Sequence, residues 1–237
     1  MRFAADLHIH SCLSPCGDLS MSPAEITRRA AKLGLAAAAL TDHNSALNAP
    51  AFAAACVREK IIPFFGIEIT TMEEVHVLAL FETPEQALKL GELIYAALPP
   101  IPNNPQKFGD QVYVNDAEEI AGEAEKLLIT AADITLDEAA RRIRSLDGLF
   151  IPAHIDRPSF SLKSQLGFIP KMDYDALEIT AWPPVTGAAD LPLISSSDAH
   201  YPDDIGKRLT FFEAEKVSFH AFREALKGRR VETSLGK

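Results

Sequence analysis

The chain has 237 residues, of which 47% are hydrophobic and 24% charged, with a formal net charge of −10; that is enough to bury a full core, and α/β barrels of this length do not split into domains. The acidity argues against a long duplex nucleic acid as partner, because duplex binding draws its affinity from Lys and Arg neutralising phosphates. The N-terminus shows no signal-peptide pattern, no window is apolar over the ~20 residues that a membrane span needs, and three cysteines are too sparse for a disulfide framework, so a cytoplasmic protein without a membrane partner is expected.

The first element is an apolar strand that ends in DLHIHS (residues 6–11). Residues i and i+2 of a strand share a face, so His8 and His10 can converge on one point as the strand leaves the sheet. A helix follows, with Ser22 as N-cap, Pro23 in the first turn, Glu25 at the capping-box position and Gly34 to stop it. The strand LAAAAL (35–40) runs into TDHN, which carries Asp42 and His43. IIPFFGIEI (61–69) delivers Glu68, and after a short connection VHVLALF (75–81) begins with His76. Residues 99–119 lack clear periodicity, so a loop or insertion at about 99–130, near the mouth of a site, is expected within a single domain 1–237. Thr135 and Glu138 open another capped helix, and LFIPA (149–153) then leads to His154 and Asp156. ALEIT (176–180), LPLISS (191–196) and LTFFEA (209–214) complete the strands, with Asp198 and His200 following LPLISS. His220, on the last helix, reads as an ordinary helix residue.

Apolar strands alternating with amphipathic helices imply an α/β fold with a covered parallel sheet, and about seven or eight such units close a complete or distorted β/α barrel. Functional groups of such barrels stand at the C-terminal ends of the strands. Five of the seven histidines fall there, and a sixth, His76, begins the strand after Glu68. Imidazole and carboxylate ligands without thiolate favour Zn, Mn or Fe. The set is too large for one tetrahedral ion and implies about two to three divalent ions.

The segments DLHIHS, TDHN, GIEIT, PAHIDRP and SSDAH, in this order, resemble the motifs of the polymerase-and-histidinol-phosphatase (PHP) family of metal-dependent phosphoesterases. The resemblance implies a distorted (β/α)7 barrel with a trinuclear metal site at the C-terminal ends of its strands. Carried over by position, His8, His10, Glu68 and Asp198 hold the first ion. Glu68 bridges to a second held by His76 and His154, and Asp18, His43 and His200 hold the third. Asp18 stands where some members have histidine, which bears on metal preference.

The implied chemistry is hydrolysis of a phosphate ester by a metal-activated hydroxide, with no serine or cysteine nucleophile and with Glu68 and Asp198 at the catalytic centre. Arg157 and Lys163, in RPSFSLKS (157–164), are the candidate cationic phosphate contacts. Asp156 would support a ligand or protonate the leaving group. Asp6 and Asp42, each close ahead of a ligand histidine, would fix imidazole tautomers. Cys12 and Cys16 read as loop packing, since no second cysteine pair completes a zinc site. Acidity and length favour a small phosphorylated metabolite or nucleotide as substrate. Two other readings stay open: an amidohydrolase-type C–N hydrolase, and an accessory module with a vestigial site, which predicts missing ligands.

Overall fold

The computed structural model describes residues 1–185, 187, 188 and 190–236. The chain runs through β1 (Arg2–Ile9), α1 (Pro23–Lys32), β2 (Ala37–Leu40), α2 (Ala49–Glu59), β3 (Ile62–Thr70), β4 (His76–Phe81) and α3 (Pro84–Ala97). It continues through α4 (Pro105–Phe108), β5 (Val112–Val114), β6 (Ile120–Glu123), α5 (Leu136–Ser145), β7 (Leu149–Pro152) and α6 (Leu162–Leu166). The last elements are β8 (Leu177–Glu178), β9 (Leu193–Ile194), β10 (Thr210–Glu213), α7 (Phe219–Lys227) and β11 (Val231–Thr233). Helix starts follow the sequence signals: the side chains of Ser22 and Thr135 accept from the backbone N–H of Glu25 and Glu138. Neither glutamate closes a capping box, because each carboxylate is drawn to an arginine one turn later, Arg29 or Arg142.

Seven strands form one curled sheet in the order β11-β10-β1-β2-β3-β4-β7. β1, β2 and β3 are parallel, but β4 is antiparallel to both β3 and β7, and β10 is antiparallel to β1. The expected distorted α/β barrel is therefore present, with a mixed rather than a parallel sheet. The reversal has a functional consequence. His76, at the start of β4, pairs in register with Thr70, at the end of β3. β7 reverses direction again, so the chain leaves it toward His154 at the same edge. That edge thus collects the C-terminal ends of β1, β2, β3 and β7 together with the N-terminal end of β4. The segment after β9 joins it through a bridge from Ala199 to Ile9, with the His10 N–H donating to the Ala199 carbonyl at 2.9 Å.

Two apolar layers hold the sheet. One face packs Ala5, Leu7, Ala39, Phe64, Leu78, Leu80 and Ile151 under α7, with the Phe64 ring edge-on to Phe219 at 5.2 Å. The other packs Ile67, Ile69, Val77 and Phe81 against Ile26, Phe52, Leu90 and Ile143 of the covering helices. Each fully buried Val, Leu, Ile or Phe side chain among these contributes about 1.5–3 kcal/mol. Along β3, the face that carries Phe64 ends in Glu68, so one strand supplies both the packed floor and the floor of the site. Between β1 and β2, register shifts between Asp6 and Ile9, and this irregularity breaks the alternation where His8 emerges.

The aperiodic stretch folds as α4 and the β5–β6 hairpin, with Val112 and Val114 packed on Cys12 and Ala51. Among the described residues no helix is long and apolar enough to cross a membrane.

Candidate metal centre

His8 and His10 are fully buried, and their Nε2 atoms lie 3.1 Å apart. The His8 Nε2 stands 3.3 Å from both Glu68 Oε1 and Asp198 Oδ1, and the His10 Nε2 stands 3.3 Å from Glu68 Oε2 and 3.1 Å from Asp198 Oδ1. Glu68, 1% exposed, is the hub. Its Oε1 also lies 2.8 Å from His76 Nδ1 and 3.0 Å from His154 Nε2, and its Oε2 lies 3.0 Å from His43 Nδ1.

The hydrogen-bond network fixes the imidazole tautomers. Nδ1 of His8 is 3.0 Å from a Glu178 carboxylate oxygen, which can only accept, so this nitrogen carries the proton. Nδ1 of His10 faces Ser14 Oγ at 3.0 Å, and Ser14 donates its own proton to Asp42 Oδ1 at 2.8 Å. The serine oxygen must then accept from His10. Both Nε2 atoms therefore face each other and two carboxylates, and each offers a ligating lone pair once a cation displaces its proton. Asp198 Oδ1, His43 Nδ1 and His154 Nδ1 are buried without a hydrogen-bond partner, and leaving a buried polar atom unsatisfied costs on the order of 1–3 kcal/mol. Such a set fits divalent cations. Its atoms form three overlapping groups of ligand-competent donors: His8, His10, Glu68 and Asp198; His43, Glu68 and His76; and His10, His43 and His200.

The electrostatics carry the same signature. Burial alone would raise the Glu68 carboxyl, but His76, His8 and His43 hold it well below the usual range. Asp198 is lowered in the same way by His8 and His10 against its burial. Burial pushes His76 down to about 4 and, with His10 alongside, His200 down to about 3, so both present neutral imidazoles.

Backbone strain marks the site as well. His154 and Asp198 take left-handed conformations at φ +28° and +54°, each costing of order 1–3 kcal/mol. The segment bearing Asp198 is clamped from two sides. Asp6 accepts from the Ser197 and Gly206 N–H groups, and Arg208 donates to the Ser196 and Ser197 carbonyls.

The structure brings together eight of the nine residues expected to ligate metal. Asp18 is the exception. Its Oδ1 accepts from Ser20 N–H and Ser20 Oγ at 2.8 and 2.5 Å, and only its backbone N–H reaches His200, at the carbonyl. Arg157 stands at the cluster with Nη1 2.5 Å from Asp198 Oδ2. Lys163 is exposed and donates to the Gly167 carbonyl at the end of its own helix. The carboxylate of Asp156 accepts from Thr180 N–H and Oγ1 and from Ala181 N–H, which ties it to the segment after β8 rather than to an imidazole. Asp6 and Asp42 do not bond an imidazole directly either: Asp6 braces the Asp198 segment, and Asp42 acts on His10 through Ser14. Cys12 is buried and Cys16 exposed, and both thiols are free.

Glu178 is the functional residue that sequence reasoning passed over. Besides fixing His8 it accepts from the His154 N–H at 2.9 Å, so one carboxylate orients two candidate ligands. The available signal was a lone glutamate inside the apolar run ALEIT.

Comparison with known proteins places this geometry. An error-prone DNA polymerase of Mycobacterium tuberculosis is 34% identical over 103 residues, which are 39% of this chain but only 9% of the polymerase. The lesion-specific endonuclease PfuEndoQ from Pyrococcus furiosus superposes with a TM-score of 0.68 at 23% identity, over 96% of this chain and 56% of that one. Endonuclease Q in complex with a 27-mer duplex carrying an abasic lesion at its active site gives 0.67 at 22% identity, over 96% and 57% of the two chains. The chain thus spans little more than half of these structures and a small part of the polymerase. The expectation of a small phosphorylated partner and no long duplex nucleic acid is overturned, because Endonuclease Q, whose chain shares this fold over 57% of its length, is seen bound to a 27-mer duplex. A model described as PHP-associated matches residues 187–231, the region that carries β9, β10 and α7 and stops at the first residue of β11. The PHP domain model itself matches residues 6–154, more than half of the sequence, and the chain belongs to the PHP family.

Proposed function

We propose that the chain is a metal-dependent phosphoesterase that hydrolyses phosphate esters of nucleic acid. The observation that carries this reading is the convergence of the Nε2 atoms of two buried histidines, His8 and His10, on the buried carboxylates of Glu68 and Asp198, all within 3.3 Å. His8, His10, Glu68 and Asp198 would hold one ion, and Glu68 would be shared with a second on His76 and His154. His43 and His200 would hold a third together with His10. Divalent Zn, Mn or Fe bound there would polarise a phosphoryl oxygen and acidify water.

The chain's own residues prepare that chemistry. Glu178 and the Ser14–Asp42 relay keep the Nε2 lone pairs of His8 and His10 aimed inward. Arg157 places a guanidinium at the mouth, paired with Asp198 and free to exchange that partner for a phosphate once Asp198 is engaged by a cation. The net charge of −10 does not oppose a polyanion locally, since the acidic groups at the centre are those that cations neutralise. The shared fold of Endonuclease Q and the sequence match to a DNA polymerase support nucleic acid as the substrate class. We read residues 1–237 as one barrel domain on the same grounds, since β10 and β11 complete the sheet begun by β1.

The test is hydrolysis by the purified chain, with Zn, Mn and Fe added separately, of oligonucleotide phosphomonoesters and phosphodiesters beside amides and lactones. Release of phosphate or cleavage of the strand is expected. Turnover of amides or lactones alone would replace this reading with a C–N hydrolase.

A further inference from the structure

Phe160 sits on the loop between β7 and α6 and is 39% exposed, yet its ring is not free. It stacks on the imidazole of His76, with centroids 4.8 Å apart and planes 21° from parallel. Its backbone is in the left-handed region at φ +53°, which a residue with a side chain seldom adopts. The loop around it is pinned from several sides. The Phe160 carbonyl accepts from the His76 N–H at 3.0 Å, and the Arg157 N–H donates to the His154 carbonyl at 3.0 Å. Ser161 Oγ donates to the Arg157 carbonyl at 2.7 Å, and Ser161 caps α6. The chain therefore spends strain and hydrogen bonds to hold an aromatic ring in the open, against a candidate metal ligand and three residues from the guanidinium at the mouth. A ring needed only for packing would be turned into the core, where the neighbouring Leu162 goes.

We propose that Phe160 is the stacking platform for a nucleobase next to the phosphate that is hydrolysed, an inference that rests on the nucleic-acid reading above. The ring stacks on His76, and with Phe160 39% exposed a base can continue the stack outward. A phosphate engaged at the metal cluster and Arg157 leaves its attached nucleoside beside this loop. Stacking recognises every base, because each has a π-face, and so gives affinity without sequence preference.

The experiment compares the metal-loaded protein and its Phe160→Leu and Phe160→Trp variants. Their binding to a fluorescently labelled oligothymidylate and to the same sugar-phosphate backbone without bases is followed by anisotropy, with metal content measured for each. Leucine keeps an apolar cover over His76, so metal content should not change. The wild type should bind the base-bearing strand more tightly, Phe160→Leu should lose this preference by about tenfold to a hundredfold, and Phe160→Trp should retain it. A Phe160→Leu variant that keeps the wild-type preference overturns the proposal, as does a wild type that binds both strands equally. If the wild type binds neither strand, the nucleic-acid reading itself fails and the stacking site falls with it.

Discussion

Glu178 and His8 are 170 residues apart in sequence, yet a Glu178 carboxylate oxygen lies 3.0 Å from His8 Nδ1, with both side chains fully or almost fully buried. This contact decides which nitrogen of His8 faces the centre. Glu178→Gln can still accept there through its amide oxygen but no longer carries the charge that strengthens the imidazole as a ligand, and Glu178→Ala removes the partner. Losing such a support typically costs about tenfold to a hundredfold in metal affinity. Isothermal titration with Zn or Mn should show the larger loss for alanine and a smaller one for glutamine. Equal, unchanged affinities in both variants would mean that Glu178 only fills space.

Glu68 reaches His8, His10, His43, His76 and His154 at once. Glu68→Ala should therefore remove at least the two ions that share it and abolish hydrolysis. Elemental analysis of the folded variant checks this, and full metal content would refute the bridging role.

Much of this centre is legible in the sequence, and the missing parts have physical causes. DLHIHS, TDHN and SSDAH can be read because strand periodicity puts every second residue on one face and barrels present their strand ends together. Strand direction has no such signature. The apolar run 75–81 looks the same parallel or antiparallel, and only its pairing with β3 explains why His76 serves from the start of a strand. Asp18 fits the family position, but a local turn with Ser20 captures its carboxylate. Glu178 needs a tertiary partner before it means anything. The charge argument failed because net charge sums over the whole chain, whereas a partner meets only the field at the site.

The metal-free site holds protons that a cation must displace. Burial works against charge on His10, but Asp198 and Glu68 outweigh it and push the imidazole up to about 9. His43 also reaches about 9, with burial and His10 opposing and Glu68 prevailing. Both groups are therefore protonated in the apo state below that value, so metal affinity should rise as pH increases toward 9 and fall as it decreases. Titrations at about pH 6 and about pH 8, in two buffers of different ionisation enthalpy, should show proton release and tighter binding at the higher pH. Equal affinity without proton release would contradict the assignment.

Arg157 pairs with Asp198 while no substrate is present. Arg157→Ala should leave metal content unchanged and lower kcat/KM on an oligonucleotide substrate by about tenfold to a hundredfold, the effect of losing one charge-assisted contact. Arg157→Lys should recover part of it, since a lysine restores charge but not the bidentate fork. Wild-type kcat/KM in the alanine variant would make Arg157 a partner of Asp198 and nothing more.

The central claim is that the facing Nε2 atoms of His8 and His10, with Glu68 and Asp198 around them, are the core of a multinuclear metal centre. Its most direct test is elemental analysis of the protein after reconstitution with Mn, Zn or Fe and removal of free metal. Three groups of ligands sharing Glu68 and His10 predict about two to three ions per chain. A protein that retains no more than one ion with any of the three metals would contradict the account.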